Sequence, residues 1–407
     1  MTQRPDRLGR LVPAGVLGCI AFVLIGWSGL LVPSLIRSVK TAFEQSDAGI
    51  GGFYFLFAGA YALGSLGGGI LTERFGRRVV LSFTAGLHAA ALVALALAPS
   101  WGVFLVAAIP LGFGGGALDG GVNGLYLDLF RTGRGRALNL LHVFFSLGAL
   151  SAPLVVGRAV SIGVDWRAIL LGTGLVAIPV AVLFATVAMP DGRRARDGTG
   201  AGGDAGTATP TAYRGVGPLG ALRDRLAAPI ILLGVAIACY VASEVGVSNW
   251  LVRFLEPAPL SDATTGLALF WAGLTAGRLV SARLADRYDH LRFATVSVLA
   301  MTLAMLGAIL VPSIPLSIAL FALTGFASGP IYPMIVAIGG DRYPERSAAI
   351  GGFLSGVAVA GSVVYPPLMG VLSVTVGLTV AMLGNVLLGL ACAAALMWVG
   401  RLRPHPS

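Results

Sequence analysis

The chain has 407 residues, of which 56% are hydrophobic and 11% are charged, and its mean hydropathy is +0.87. A soluble domain carries about 25% charged residues, so this composition excludes a soluble globular protein and predicts a polytopic membrane protein. The formal net charge is +10. The basic residues lie mainly in the short segments between apolar stretches, which argues against a nucleic-acid partner. The three cysteines all fall inside apolar stretches, so no disulfide or metal framework is expected.

Twelve apolar segments follow one another along the chain, each long enough to cross a bilayer. They are residues 13–36, 48–72, 79–98, 102–127, 137–157, 167–188, 228–253, 263–284, 293–311, 315–338, 348–371 and 376–399. Residues 190–227 lack apolar periodicity and are rich in Gly, Ala and Thr, which predicts a flexible cytoplasmic linker. We therefore predict an all-α membrane protein with two six-helix halves, residues 1–189 and 228–407.

The distribution of basic residues predicts the orientation of the chain. With the N-terminus in the cytoplasm, most of the 28 Lys and Arg residues fall on cytoplasmic segments. Five fall outside, namely Arg37, Lys40, Arg158, Arg167 and Arg253. This bias predicts that both termini are cytoplasmic. The excess of Arg over Lys is typical of a GC-rich bacterial genome and favours a bacterial cytoplasmic membrane.

An internal repeat relates the two predicted halves. The segment GILTERFGRR after span 2 corresponds to ARLADRYDHLR after span 8. One offset of 213 residues relates Glu73 to Asp286, Asp128 to Asp341, and Gly116 to Gly329. Parallel repeats of this kind, with a substrate site at mid-depth between them, are a known transporter arrangement.

These motifs resemble a known family. The pattern Gly69-x-x-x-Glu73-Arg74-x-Gly76-Arg77-Arg78 resembles the loop 2–3 signature of the major facilitator superfamily. Within that superfamily, GFGGGALDGGVN in span 4, ALNLLHVFFSLGALSAP in span 5, SEVGVSNW in span 7 and GLTAGRLVSARLADR in span 8 are similar to the fucose permease-type group. That group includes sugar–proton symporters, so the resemblance implies secondary transport of a sugar by alternating access.

Two acidic residues lie well inside predicted spans, and they are the candidates for proton coupling. Asp119 lies in span 4 and Glu244 in span 7. A carboxyl group inside a span costs about 2.5–3.5 kcal/mol on insertion scales, so it usually faces a cavity and has a function there. The alternatives are a structural hydrogen bond for Asp119, and a gating or packing contact with Arg278 for Glu244. His142 in span 5 is either a proton relay or a neutral histidine hydrogen-bonded between helices.

The remaining charged candidates are one intramembrane arginine and a group in the loops. Arg278 is the one basic residue inside a predicted span, and it either pairs with an acid or backbone carbonyls or binds an anionic substrate. Asp128, at the cytoplasmic end of span 4, is predicted to pair with Arg74 or Arg77 as a conformational latch. The full set of predicted latch residues is Glu73, Arg74, Arg77, Asp128, Asp286 and Arg287.

Amides and aromatic rings inside the spans form the predicted substrate site. Sugars present C–H faces to aromatic rings and hydroxyls to amides. The candidates are Trp27, Asn123, Asn139, Asn249, Trp271 and Tyr332. The alternative for such aromatic residues is anchoring at the membrane interface or packing.

The sequence therefore predicts a secondary active transporter, and not an enzyme, that carries out proton-coupled symport of a hexose-like sugar. The alternatives are a proton-driven exporter of amphipathic drugs or lipids, and a transporter-like sensor that moves no solute. No cofactor is expected beyond the transported proton. Sodium is an alternative driving ion, since Asp119 and Asn123 could both ligate a hard cation. The absence of a GxxxxGK[ST] motif excludes primary active transport. A monomer in the lipid bilayer that binds a small-molecule substrate is expected.

Overall fold

The computed structural model describes residues 5–130, 134–189, 227–284 and 287–402, and in these ranges the chain forms α-helices without β-strands. The first six spans are α1a (Pro5–Gly29), α1b (Leu31–Ala42), α2 (Asp47–Phe75), α3 (Arg77–Leu97), α4 (Trp101–Leu129), α5 (Arg134–Ser161) and α6 (Trp166–Thr186). The second six are α7 (Ala227–Phe254), α8 (Leu260–Leu284), α9 (His290–Leu310), α10a (Ile314–Ser328), α10b (Ile331–Arg342), α11 (Ser347–Thr375) and α12 (Leu378–Arg401). The predicted linker, residues 190–227, lies outside the described residues except for Ala227.

Each of the twelve predicted segments corresponds to one span, so the predicted fold class is confirmed. Eleven of the spans in the described part of the chain are long and apolar enough to cross a membrane by themselves. The twelfth, α8, is less apolar because it carries Asp262, Arg278 and Arg283 together with several hydroxyl residues.

Two spans predicted as continuous are each interrupted, and a proline lies next to both breaks. In span 1 the helix stops at Gly29 and resumes at Leu31, two residues before Pro33. In span 10 it stops at Ser328 and resumes at Ile331, with Pro330 and Pro333 close by. A proline has no N–H to donate to the carbonyl four residues earlier, and its ring crowds that carbonyl. The hydropathy pattern contains no such information, so the sequence prediction missed both breaks.

Glycines bring helix backbones into direct contact in the same way in both halves. A Cβ atom at Gly112 or Gly116 on α4 would collide with a backbone carbonyl of α2, at Phe57 or Tyr61 respectively. Gly325 on α10a meets the carbonyl of Phe270 on α8 in the same manner. The 213-residue offset relates Gly112 to Gly325 and Phe57 to Phe270. The two halves therefore repeat each other in packing as well as in sequence.

Two of the helix pairs that join the halves are related to each other by the same 213-residue offset. Gly51 of α2 packs against Gly370 of α11, and Gly157 of α5 packs against Thr264 of α8. Because Gly51 corresponds to Thr264 and Gly157 to Gly370, one pseudo-twofold axis generates both contacts. Both lie at the end of the bundle that is remote from the chain termini. We call this end the opposite end, and the end that carries the termini the terminal end.

The buried apolar side chains show that the halves separate toward the terminal end. One continuous cluster contains residues of the second half together with residues of α1b, α2 and α4 near the opposite end, such as Leu35, Ile50 and Phe104. A second, separate cluster lies within the first half at its terminal end and includes Leu17 and Leu125. Apolar packing thus crosses between the halves at the opposite end.

Candidate functional site

Asp119 is the centre of a hydrogen-bonded group between α2 and α4. Tyr61 donates its hydroxyl to Asp119 Oδ2 at 2.8 Å, and Asn123 donates its amide to Asp119 Oδ1 at 2.9 Å. The backbone contact at Gly116 brings α2 close enough for Tyr61 to reach across. Both carboxylate oxygens of Asp119 therefore have a donor from the protein itself.

In the second half, the acidic residue inside the bundle is Glu244, and it forms a charged pair with Arg278. Arg278 Nη2 lies 4.0 Å from Glu244 Oε1, with the Glu244 side chain 11% exposed and that of Arg278 34% exposed. One turn from Glu244, the buried Tyr240 donates its hydroxyl to the carbonyl of Ser328 at 2.9 Å. Ser328 is the last residue of α10a, so this pair lies beside the break in span 10.

His142 and Arg278 face the interior of the bundle although both are accessible to solvent. On α8 the lipid-facing side carries the exposed residues Leu269, Leu279 and Val280, and at 100° per residue Arg278 points to the other side. On α5, His142 likewise points away from the exposed leucines 140, 147 and 154. Interior side chains that remain accessible indicate an opening between the halves at this depth.

The imidazole ring of His142 stands at the edge of this opening. It packs edge-on against Phe22, with ring centroids 5.4 Å apart, and it interacts electrostatically with Arg278 across the boundary between the halves. Within the described part of the chain, neither ring nitrogen of His142 has a hydrogen-bond partner. The structure thus brings His142, Glu244 and Arg278 together, whereas no hydrogen bond or ion pair among described residues joins Asp119 to Glu244.

The predicted substrate-binding tryptophans have their polar groups engaged by the protein. Trp27 donates its indole N–H to Thr173 at 3.1 Å, and Trp271, buried at 7% exposure, donates to Ser248 at 3.0 Å. The ring of Trp271 reaches Phe145 of α5, with centroids 5.9 Å apart. Only the ring faces of these residues are therefore free to contact a solute.

The other predicted substrate ligands are distributed over both halves. Asn123 is bound to Asp119, and the backbone carbonyl of Asn249 accepts the hydroxyl of Tyr54 at 3.1 Å. Tyr332 donates to Ser355 at 3.0 Å. Asn139 lies on α5, but its side chain is outside the described residues.

The loop motif forms one ion pair in each half, at equivalent positions. Of the two candidate partners of Asp128, Arg77 is in contact, at 2.5 Å. In the second half His290 contacts Asp341 at 2.6 Å. The 213-residue offset relates both members of the two pairs, so His290 occupies the place of Arg77.

The remaining predicted latch residues make fewer contacts. Glu73 and Arg287 are exposed, and Arg74 lies over the ring of its neighbour Phe75. Asp286 lies outside the described residues. Arg287 was predicted as a latch residue without a named partner, and His290, which was not predicted, is the residue that contacts Asp341. The second copy of the loop motif differs from the first, so the sequence did not indicate that His290 takes the position of Arg77.

A network that the sequence analysis missed joins the halves at the opposite end. Asp47, the buried first residue of α2, is bonded by Lys40, by Arg253 Nε at 3.1 Å and by Ser373 Oγ at 2.6 Å. Arg253 also pairs with Glu256. Since Arg253 and Ser373 belong to the second half, Asp47 connects α2 to α7 and α11.

Arg37 makes further hydrogen bonds between the halves at the opposite end. Its guanidinium donates to the carbonyl of Val252 in the last turn of α7 and to those of Leu255 and Ala258 just after the helix, at 2.6 to 3.1 Å. The last carbonyls of a helix lack partners within the helix, so a cation placed there is stabilising. The sequence did contain a signal for this network, because the acidic Asp47 lies close to Arg37 and Lys40 on the predicted outer side of the membrane. These basic residues were used only to predict the topology.

Comparison with known proteins establishes the family. The family model described as Major Facilitator Superfamily matches residues 16–314 and 231–407. The chain belongs to the major facilitator superfamily and is therefore a multi-pass membrane transporter rather than an enzyme.

Among proteins of similar sequence, the yeast (Saccharomyces cerevisiae) Bypass of stop codon protein 6 is 26% identical over 399 residues, covering 90% of this chain and 78% of that protein. A glucose/galactose transporter of Brucella abortus is 25% identical over 392 residues, covering 89% and 88%. Among solved structures, an inward-facing bacterial homologue of the human lysosomal transporter Spinster has a TM-score of 0.77 at 17% identity, covering 98% of each chain. A D-xylose–proton symporter has a TM-score of 0.74 at 16% identity, covering 97% and 98%.

Proposed function

We propose that this protein is a proton-coupled symporter of a hexose-like sugar. The observation that carries the proposal is the set of charged and amide side chains that both halves place inside the bundle, namely Asp119 and Asn123 in the first half and Glu244 and Arg278 in the second. The names of a similar Brucella transporter and of a structurally similar xylose symporter point in the same direction. An interior with this much hydrogen-bonding capacity suits a hydroxylated solute better than an amphipathic drug.

The pattern of contacts supports transport by alternating access. The halves are bonded to each other at the opposite end through Asp47 and Arg37, while their apolar cores separate toward the terminal end. With the termini in the cytoplasm, as the charge distribution predicts, this arrangement corresponds to an inward-open state. The protein would work as a monomer in a bacterial cytoplasmic membrane and without a cofactor.

Asp119 is the first candidate for carrying the coupled proton. Its carboxylate accepts two hydrogen bonds, from Tyr61 of α2 and from Asn123 of its own helix, so protonation of Oδ2 would disturb the bond between α2 and α4. Proton uptake would thereby alter the packing of two helices in the same half. Glu244 is the second candidate, through its pairing with Arg278, and His142 is the third.

The test is uptake of labelled hexoses into proteoliposomes, with and without an inward proton gradient, for the wild type and Asp119→Asn. We expect gradient-driven accumulation in the wild type, its loss in the variant, and retention of hexose exchange in both. Hexose accumulation that requires a sodium gradient would support the proposed substrate but show that sodium, and not a proton, is the coupling ion. Absence of hexose movement under every gradient would contradict the proposal and favour the exporter.

A further inference from the structure

We propose that the opening between α5, α7 and α8 recognises the carboxylate of a hydroxylated acid, such as a sugar acid, through Arg278 with His142 beside it. Glu244 is then an internal carboxylate that competes with the substrate for the same guanidinium. This inference rests on the proposed function, because it names the class of sugar carried. It is tested separately below.

The first argument is the incomplete bonding of Arg278. A guanidinium has five N–H donors in a planar fork that matches the two oxygens of a carboxylate. Among the described residues, Arg278 has one charged partner, Glu244, at 4.0 Å, and its side chain makes no hydrogen bond. A charged group within a span usually has its hydrogen-bonding capacity satisfied. Most of the donors of Arg278 are therefore available to an occupant of the opening.

The second argument is the position of His142. It belongs to the other half, it interacts electrostatically with Arg278, and its ring has no hydrogen-bond partner in the described part of the chain. A solute held by both side chains would contact α5 and α8 together. These two helices belong to different halves and pack against each other, so such a solute would connect the halves during transport.

The third argument is the balance of charge in the interior. Each oxygen of Asp119 already accepts a hydrogen bond, from Tyr61 and from Asn123, so the first half offers only the remaining lone pairs of this carboxylate to a further donor. The largest unused capacity is that of the Arg278 guanidinium, which offers donors only, and a neutral His142 adds one N–H donor and one acceptor. A neutral sugar would satisfy these donors with hydroxyl oxygens, but a carboxylate would do so with charge-assisted bonds, which are about twice as strong.

The single arginine also limits the class of anion. One guanidinium matches the single charge of a carboxylate. A phosphate ester carries up to two charges, and Glu244 adds a third negative charge within 4.0 Å of the same guanidinium. We therefore assign a monocarboxylate rather than a phosphate.

The experiment measures binding of D-glucuronate, D-glucuronamide and D-glucose to the purified protein by calorimetry. Glucuronamide has the shape of glucuronate without its charge. We expect the wild type to bind glucuronate about 10- to 100-fold more tightly than glucuronamide, the range that corresponds to a charged hydrogen bond. Arg278→Gln should abolish that preference. Glu244→Gln should increase the affinity for glucuronate several-fold and leave glucuronamide unchanged, because the competing carboxylate is removed.

The preference is a ratio within each variant, so it does not depend on how much of a variant is folded. The matched control is Arg283→Gln, an exposed arginine on the same helix, which should leave the preference unchanged. Equal binding of the acid, the amide and glucose, insensitive to Arg278→Gln, would overturn this inference and leave the neutral-sugar symporter standing. Weakened glucuronate binding in Glu244→Gln would also overturn it, since a purely structural ion pair loses function from either side. Failure of all three sugars to bind would contradict the proposed function as well.

Discussion

At the residue scale, single glycines decide how closely the helices of each half approach. Gly116 lets the backbone of α4 touch the carbonyl of Tyr61, and this contact brings the Tyr61 hydroxyl to Asp119. In a membrane, close approach through small residues replaces the hydrophobic drive that acts between helices in water. The geometry of the candidate proton site therefore depends on a residue without a side chain.

Replacement of Gly116 by alanine should destabilise the protein. The new Cβ would collide with the Tyr61 carbonyl, and overpacking of this kind costs about 1–3 kcal/mol. We expect a lower melting temperature in detergent and weaker proton-driven uptake. Gly67→Ala on α2 is the control, because its Cβ would meet no atom within 4 Å. Equal stability of the two variants would show that the helices adjust without cost.

At the element scale, the interrupted span 10 is the feature that most affects the site. The break exposes the carbonyl of Ser328, which the buried Tyr240 satisfies from α7, one turn from Glu244. The glycines on both sides hold α8 against this break, since Gly329 packs on the backbone of Arg278. Arg278 is therefore positioned by the backbone geometry of a neighbouring helix.

Loss of the Tyr240 hydroxyl should loosen this arrangement. Tyr240→Phe leaves the Ser328 carbonyl buried without its donor, at a cost of about 1–3 kcal/mol. The expected result is a clear fall in melting temperature, measured by thermal unfolding in detergent. Tyr288→Phe is the matched control, since Tyr288 is 60% exposed. If both variants have the melting temperature of the wild type, the hydrogen bond from Tyr240 to Ser328 contributes nothing to stability.

At the scale of the whole molecule, the two ends of the bundle differ. At the opposite end, Asp47 accepts hydrogen bonds from Lys40, Arg253 and Ser373. Arg37 donates to carbonyl groups at and just after the end of α7. These bonds must break when the opposite end opens, because they join α1b and α2 to α7 and α11. Ion pairs that exchange between states are a common basis of such rigid-body switches.

Removal of Asp47 should shift the molecule toward opening at the opposite end. The measurement is alkylation of a cysteine at Tyr54, a buried residue near that end, in a background without Cys19, Cys239 and Cys392. We expect Asp47→Ala to increase the labelling rate several-fold, since Arg253 and Ser373 lose their acceptor.

Glu256→Ala is the control for this experiment, because Glu256 pairs with Arg253 at the surface and makes no hydrogen bond or ion pair with a described residue of the first half. The same labelling rate in the Asp47 variant and in its parent would show that apolar packing alone keeps the opposite end closed.

The sequence by itself determined the twelve spans, the two related halves and the superfamily, because hydropathy and repeat spacing are local properties that survive in any arrangement of the helices. Asp119, Glu244, Arg278 and His142 could also be selected, since charged groups are rare inside spans. The tertiary structure decided which of them meet. Arg278 joins Glu244 and His142, Asp119 joins Tyr61 and Asn123, and Asp47 joins Arg253, about 200 residues away. Such partners depend on how the helices pack and on where proline interrupts them, and neither can be read from apolar periodicity.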